Sequence, residues 1–260
     1  MSKTWILIVP LCIIASDLSG QDTVFNQLNS RGQKTGFWKV YYENGKVRYT
    51  GFFENDQPAG EMKKYYPGGI LQAHMIYERS GKVSRVKLFY KSGKLSAEGK
   101  YIGNVKDSVW NYYSSYDERL ALHETYELGM KNGMSFKYYS NGNISEIIEW
   151  DNDLEHGRWE QYYENGDIRL KSSYLHGMRN GPFQSFHPGG KPSITGAYNN
   201  GYMNGKWTYF DEDGREDFSA EYIDGKMLPN EYYDKRVEEF SKKIRDIAGD
   251  IPEPSEEQIP

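Results

Sequence analysis

Internal repetition constrains this chain more than any other feature. Set in rows of 24 from Gly36, the sequence aligns starts at Gly36, Gly60, Ser84, Ser108, Gly133, Gly157, Gly181 and Gly205, with one additional residue in the fourth row. Five positions after each start stands Tyr41, Tyr65, Phe89, Tyr113, Tyr138, Tyr162, Phe186 or Phe210. Aromatic residues make up 15 % of the chain, so a column filled in every row reflects a structural period. A second complete column runs through Phe53, Tyr77, Tyr101, Tyr126, Trp150, Tyr174, Tyr198 and Tyr222. Glycine recurs at Gly45, Gly69, Gly93, Gly142, Gly166, Gly190 and Gly214, with Asp117 in the lengthened row as the exception. A unit this short cannot enclose a core alone and must stack on its neighbours.

Each row reads as a β-hairpin, such as Gly36 to Tyr42, a tight turn, and a return from Lys46 to Phe53. Asn44-Gly45, Asn141-Gly142, Asn165-Gly166 and Asp213-Gly214 tolerate positive φ and suit a two-residue turn whose twist matches paired strands. Such a turn sets Tyr42 against Val47 and Trp38 against Gly51. The same register sets Val86 against Gly99, Trp159 against Ser172, Phe183 against Gly196 and Trp207 against Ala220. Large therefore meets small. In the fifth row the sizes exchange, Ser135 against Ile148, while Met62 against Met75 departs from the rule. Alternation along the strands then gathers Trp38, Val40, Tyr42, Val47, Tyr49 and Phe53 and their equivalents on one packed face. The opposite face is polar, with Lys39, Arg48, Gln72, Glu160, Arg169 and Ser193, except for the aromatic column that begins at Tyr41. The expected fold is all-β: a repeat array of β-hairpins forming a twisted, elongated antiparallel meander or open solenoid over 36–228, with a C-terminal capping helix.

The flanks read differently. Lys3 precedes an apolar run from Trp5 to Ile14 that is about half the length needed to span a bilayer, followed by turn-formers to Gly20. Residues 1–20 thus read as a cleaved signal peptide, which places the mature chain outside the cytoplasm: secreted, periplasmic or in the cell envelope. Cys12 lies inside this segment, so the mature chain is expected to hold no thiol and no integral membrane segment. Residues 21–35 resemble the second half of a unit and are expected to cap the first strand. Pro229-Asn230 opens an expected amphipathic helix over 229–249, with Val237, Phe240, Ile244 and Ile247 on one stripe, and 250–260 form an acidic, Pro-rich tail. Of the formal charge of −5, most falls after residue 229. A near-neutral repeat body argues against nucleic acid or an anionic bilayer as the main partner.

The rows GFWKVYYENGKVRYTGFFEND, GRWEQYYENGDIRLKSSYLHG and GKWTYFDEDGREDFSAEYIDG resemble MORN repeats, in particular the bacterial variant labelled the YwqK family of antitoxins. The resemblance covers about residues 36–228. It implies a β-hairpin meander used for binding or scaffolding, with no catalytic residues and no cofactor.

Site signatures point the same way: the mature chain has no CxxC, HExxH, GxSxG or Walker glycine loop. His156 and His176 fall in inter-hairpin turns and could share an edge, but no third ligand at fixed spacing accompanies them. Glu43, Glu164, Asp211 and Asp213 recur beside turns, where carboxylates usually aid the turn. Asn143-Ile144-Ser145 fits a glycosylation acceptor at chance level. One surface feature has functional promise. Tyr41, Tyr65, Phe89, Tyr113, Tyr138, Tyr162, Phe186 and Phe210 are expected either to form an exposed stripe that clasps an extended peptide or a glycan, or to be buried by curvature against neighbouring rows. The expected function is an exported, non-enzymatic interaction module or scaffold whose partner is another protein. The alternatives are a cell-envelope carbohydrate binder, whose units are nearer twenty residues, and a toxin-neutralising antitoxin, which would sit in the cytoplasm.

Overall fold

The computed structural model describes residues 24–78, 81–231, 234–239 and 241–242. The expected signal peptide with Cys12, the acidic tail, and Phe240, Ile244 and Ile247 of the expected helical stripe lie outside the described residues. The described chain is one 20-stranded sheet in which each main strand pairs antiparallel with the next in sequence. The first row joins Lys34–Tyr41 to Val47–Glu54, and the eighth joins Tyr202–Phe210 to Glu216–Ile223. The sheet is open. A short helical segment follows Asn230.

The expected registers hold through the hairpin bodies. Trp38 pairs with Gly51, Met62 with Met75, Val86 with Gly99 and Ser135 with Ile148. Trp159 pairs with Ser172, Phe183 with Gly196, and Trp207 with Ala220.

The turns differ from expectation. Tyr42 N–H donates to the Lys46 carbonyl at 2.8 Å and Gly45 N–H to the Tyr42 carbonyl at 3.0 Å, and Gly45 has φ of +78° while Asn44 stays out of the left-handed region. This is a three-residue loop closed by a glycine bulge. Tyr41 consequently pairs with Val47, and the Tyr42–Val47 pair is not formed. A second shift between Val40 and Tyr41 cancels the first, so the register beyond it matches that of a two-residue turn. Asn44 serves the loop through its side chain, accepting from Lys46 N–H at 3.1 Å; Asn141 and Asn165 do the same. Two-residue turns with positive φ at both centres do occur, but between rows, at Asn55-Asp56, Asn152-Asp153, His176-Gly177, Asn200-Gly201 and Asp224-Gly225.

The packed face forms two clusters. One gathers Phe53, Met62, Met75, Val86, Trp110 and Tyr126; the other centres on Leu170, Phe183 and Trp207. Trp110 is fully buried. The small partners have a second reason to be small: a Cβ on Gly99 would lie 2.4 Å from the Trp110 ring, and one on Gly196 would lie 2.3 Å from Trp207. The ring that requires each glycine therefore belongs to the following row. Between the clusters the large position is taken by Ser135, whose buried hydroxyl has no hydrogen-bond partner among the described residues.

Both edges of the sheet are covered. Asn26, at φ 63°, imitates a strand residue with its side chain: its amide donates to the Lys39 carbonyl at 3.0 Å and accepts from Lys39 N–H at 2.9 Å. At the other end Asn230 donates to the Ser219 carbonyl at 2.7 Å, and Arg236 of the helical segment meets Asp217 at 3.6 Å. The two asparagines occupy backbone groups that a bare edge strand would offer to another chain.

Candidate functional site: an aromatic stripe along the loop edge

The aromatic column closes the first strand of every row, next to the glycine-bulge loop, so its members lie along one edge of the sheet. Tyr65, Phe89, Tyr113, Tyr138, Tyr162, Phe186 and Phe210 are half-buried; Tyr41 is the exposed one. The structure thus lies between the two expectations, with neither a bare platform nor a buried ridge.

What aligns these residues is the column that begins at Tyr42, expected only to fill the packed face but bonded across the rows through its hydroxyls. Tyr42 donates its phenolic hydrogen to the carbonyl of Tyr65 at 2.7 Å, and Tyr66 to Phe89, Tyr90 to Tyr113, Tyr139 to Tyr162 and Tyr163 to Phe186 do likewise. His187 continues the series with Nε2 at 3.1 Å from the Phe210 carbonyl. Each bond runs from one row to the stripe residue of the next. A hydrogen bond from a rigid ring to a backbone acceptor pins the loop edge in register, with adjacent stripe residues two strand spacings apart, about 9.6 Å. The signal was legible: the sixth position after each row start is Tyr, Tyr, Tyr, Ser, Tyr, Tyr, His and Asp.

The ladder breaks once. Ser114 replaces the tyrosine, its row carries the additional residue, and Arg119 instead donates from its guanidinium to the Ser140 carbonyl. The missing ring leaves a notch of about 210 Å³ lined by Ser114, Asp117, Arg119, Leu120 and Tyr138. Asp117 is held below its ordinary carboxylate range by hydrogen bonds from Ser114 and the Arg119 backbone, so the notch is lined by an anion and a cation beside an aromatic ring.

Two of the stripe phenols also have fixed polar partners. Tyr113 donates to Glu98 at 2.6 Å, and burial, followed by that carboxylate, pushes its pKa up to about 12. Tyr162 donates to Glu160, which Arg158 also contacts, and burial followed by the bond to Glu160 raises its pKa. Both hydroxyls stay protonated at neutral pH. Lys39 Nζ sits 5.6 Å from the Tyr41 ring centre. The edge is therefore amphipathic, with rings framed by paired charges.

The histidine pair is close, with His156 and His176 ring centroids 5.1 Å apart, but among the described residues no group of three or more His, Cys, Asp or Glu side chains could hold a metal ion. Glu43, Glu164, Asp211 and Asp213 lie at the loop edge, where Asp211 accepts from Arg215 N–H at 2.8 Å and Asp213 pairs with Arg215 at 3.1 Å. Among the described residues no helix is long and apolar enough to cross a membrane.

The sequence profile of a family described as a MORN repeat variant matches residues 34–55, 59–79, 131–152 and 155–176, about a third of the chain. These segments lie on the first, second, fifth and sixth rows. No curated protein matches the chain. Among solved structures, one titled "Crystal Structure of TarM" is similar at 15 % identity and a TM-score of 0.29, over 45 % of this chain and 20 % of that one.

Proposed function

We propose that this chain is an exported, non-enzymatic interaction module: a rigid scaffold that binds an extended segment of another protein along its loop edge. The observation that supports this is the pinned stripe. Aromatic rings at a constant spacing, six of the eight with the backbone carbonyl fixed by a hydrogen bond from the preceding row, form a surface that loses little entropy when a partner binds. Aromatic side chains with a polar rim are the composition from which binding hot spots are made. The four matches to MORN repeats favour the same role, and residues 1–20 favour placement in the envelope or outside the cell. Tyr138 is the residue on which the reading concentrates, because the notch beside it admits a partner side chain.

The test identifies a partner by pull-down from envelope extract with mass spectrometry, then measures its affinity for the Tyr138→Ala/Tyr162→Ala variant. The expected result is an affinity loss of about tenfold or more with a melting temperature lowered by only a few degrees. A large fall in melting temperature with undiminished affinity would reject the stripe as a binding surface.

A further inference from the structure

On rows one and two, Lys34, Arg48 and Lys64 line a pocket of about 460 Å³ whose walls carry the rings of Tyr42, Tyr49 and Phe53. Two of these cations are held in place. Lys34 donates from Nζ to the Tyr49 hydroxyl at 3.1 Å, and the ring centres of Trp38 and Phe53 lie 4.7 Å and 5.1 Å from the same nitrogen. Arg48 stands over the Tyr42 ring at 5.9 Å, and the Tyr42 hydroxyl is itself fixed on the Tyr65 carbonyl. Lys64 is paired with Tyr49 across the strands, and its side chain is exposed.

The chain does not neutralise these charges itself. None of the strand residues that alternation places on the packed face in rows one to three is acidic. Two carboxylates lie nearby in loops: Asp56 accepts from the Lys34 backbone N–H at 2.8 Å, and Glu43 shares a neighbouring hollow with Arg48. Among the described residues neither forms an ion pair with any of the three cations. Row five shows the contrast. There Lys137 takes the place of Lys64, and Glu146 directly across from it forms an ion pair with it, whereas Ala73 stands directly across from Lys64. Lys131, in the place of Lys34, meets Glu124 at 2.6 Å.

We infer that this pocket binds a small soluble phosphate monoester, its phosphate on Lys34, Arg48 and Lys64. A monoester phosphate carries nearly two negative charges and three acceptor oxygens at neutral pH, which matches one guanidinium fork and two ammonium groups better than a singly charged, planar carboxylate does. The volume exceeds what a bare phosphate fills and falls in the range of small-molecule sites, so Tyr49, Phe53 and Met62 are left to receive the apolar group of the ester. Because rings already hold Lys34 and Arg48, binding orders little that is not ordered beforehand. The pocket shares no residue with the aromatic stripe, so the inference stands or falls independently of the function proposed above.

Isothermal titration calorimetry of the full chain with phenyl phosphate and with inorganic phosphate tests it. A single site is expected, with phenyl phosphate bound several-fold more tightly than inorganic phosphate. Arg48→Gln and Lys64→Gln each lower the affinity for phenyl phosphate about tenfold, and because both side chains are exposed the melting temperature stays unchanged. Lys206→Gln, at an exposed lysine far along the sheet, leaves the affinity unchanged. No binding of either phosphate overturns the inference, and equal affinity for the two overturns the assignment to an ester. So does a loss as large in Lys206→Gln, which would mark general attraction to a charged surface. Vesicles carrying phosphatidic acid distinguish the source of the phosphate: a chain that binds them and ignores phenyl phosphate overturns the assignment to a soluble ligand.

Discussion

The phenol of Tyr163 donates to the carbonyl of Phe186 at 2.7 Å, one row away and 23 residues later in the chain. With its four tyrosine counterparts this bond does what neither packing nor strand pairing does alone: it ties the loop edge of each hairpin to the next. The rungs are interrupted at Ser114 and resume at Tyr139, between the two hydrophobic clusters, where the packed face also changes character.

Removing a single rung tests the ladder. Tyr66→Phe and Tyr163→Phe keep the ring and lose the donor, leaving a carbonyl at the loop edge unpaired, so each should lower stability by about 1 kcal/mol. The two rungs lie in different halves and share no partner, so the double variant should lose the sum within about 0.5 kcal/mol in urea titrations.

Gly99 and Gly196 should not accept a methyl group. A Cβ at either position would overlap the indole of Trp110 or Trp207, both held from beneath by the sheet and therefore unable to retreat. Gly99→Ala and Gly196→Ala are each expected to cost about 3 kcal/mol, read as a fall in melting temperature. Gly68→Ala is the control, since its Cβ would meet nothing within 4 Å and its φ is ordinary.

Acid should destabilise the fold partly through Glu124. This buried carboxylate sits opposite Trp110; burial alone would raise its pKa. The hydrogen bonds from Lys131 and Tyr126, with the charges of Lys131 and Lys106, outweigh that and hold it below the ordinary 4.5. A folded-state pKa lower than the unfolded one contributes stability that is present above about pH 4.5 and is lost as pH falls through the folded value. Thermal melts from pH 7 to pH 3 should show this loss. Glu124→Gln should flatten it, at the cost of lower stability at pH 7 because Lys131 loses its anion at 2.6 Å.

Ser135→Ala should be neutral or stabilising. The hydroxyl is buried without a partner among the described residues, so alanine removes an unsatisfied polar group while keeping the volume nearly constant. A melting temperature raised by a few degrees is expected; a clear fall would mean that the hydroxyl makes a stabilising bond.

The chain's covalent order was enough to specify the period, the hairpins and the pairing of Trp159 with Ser172, because side chains alternate along a strand and a recurrent glycine marks the hairpin loop in seven of the eight rows. It also placed the aromatic column, since recurrence at a fixed interval survives any detail of geometry. Two errors in the turns, a loop of three residues where two were expected and a bulge beyond it, cancelled in the register and so left no trace in the pattern. The remainder depended on contacts between rows. That Gly99 is small for Trp110 as well as for Val86, that Asn26 stands in for a strand, and that Tyr42 reaches the Tyr65 carbonyl are all relations between residues ten or more positions apart. Their distances are set by the spacing and twist of stacked strands, which a linear pattern implies but does not measure. Half-burial of the stripe is decided in the same way: alternation chooses the face, and only the neighbouring rows determine how much of each ring they cover.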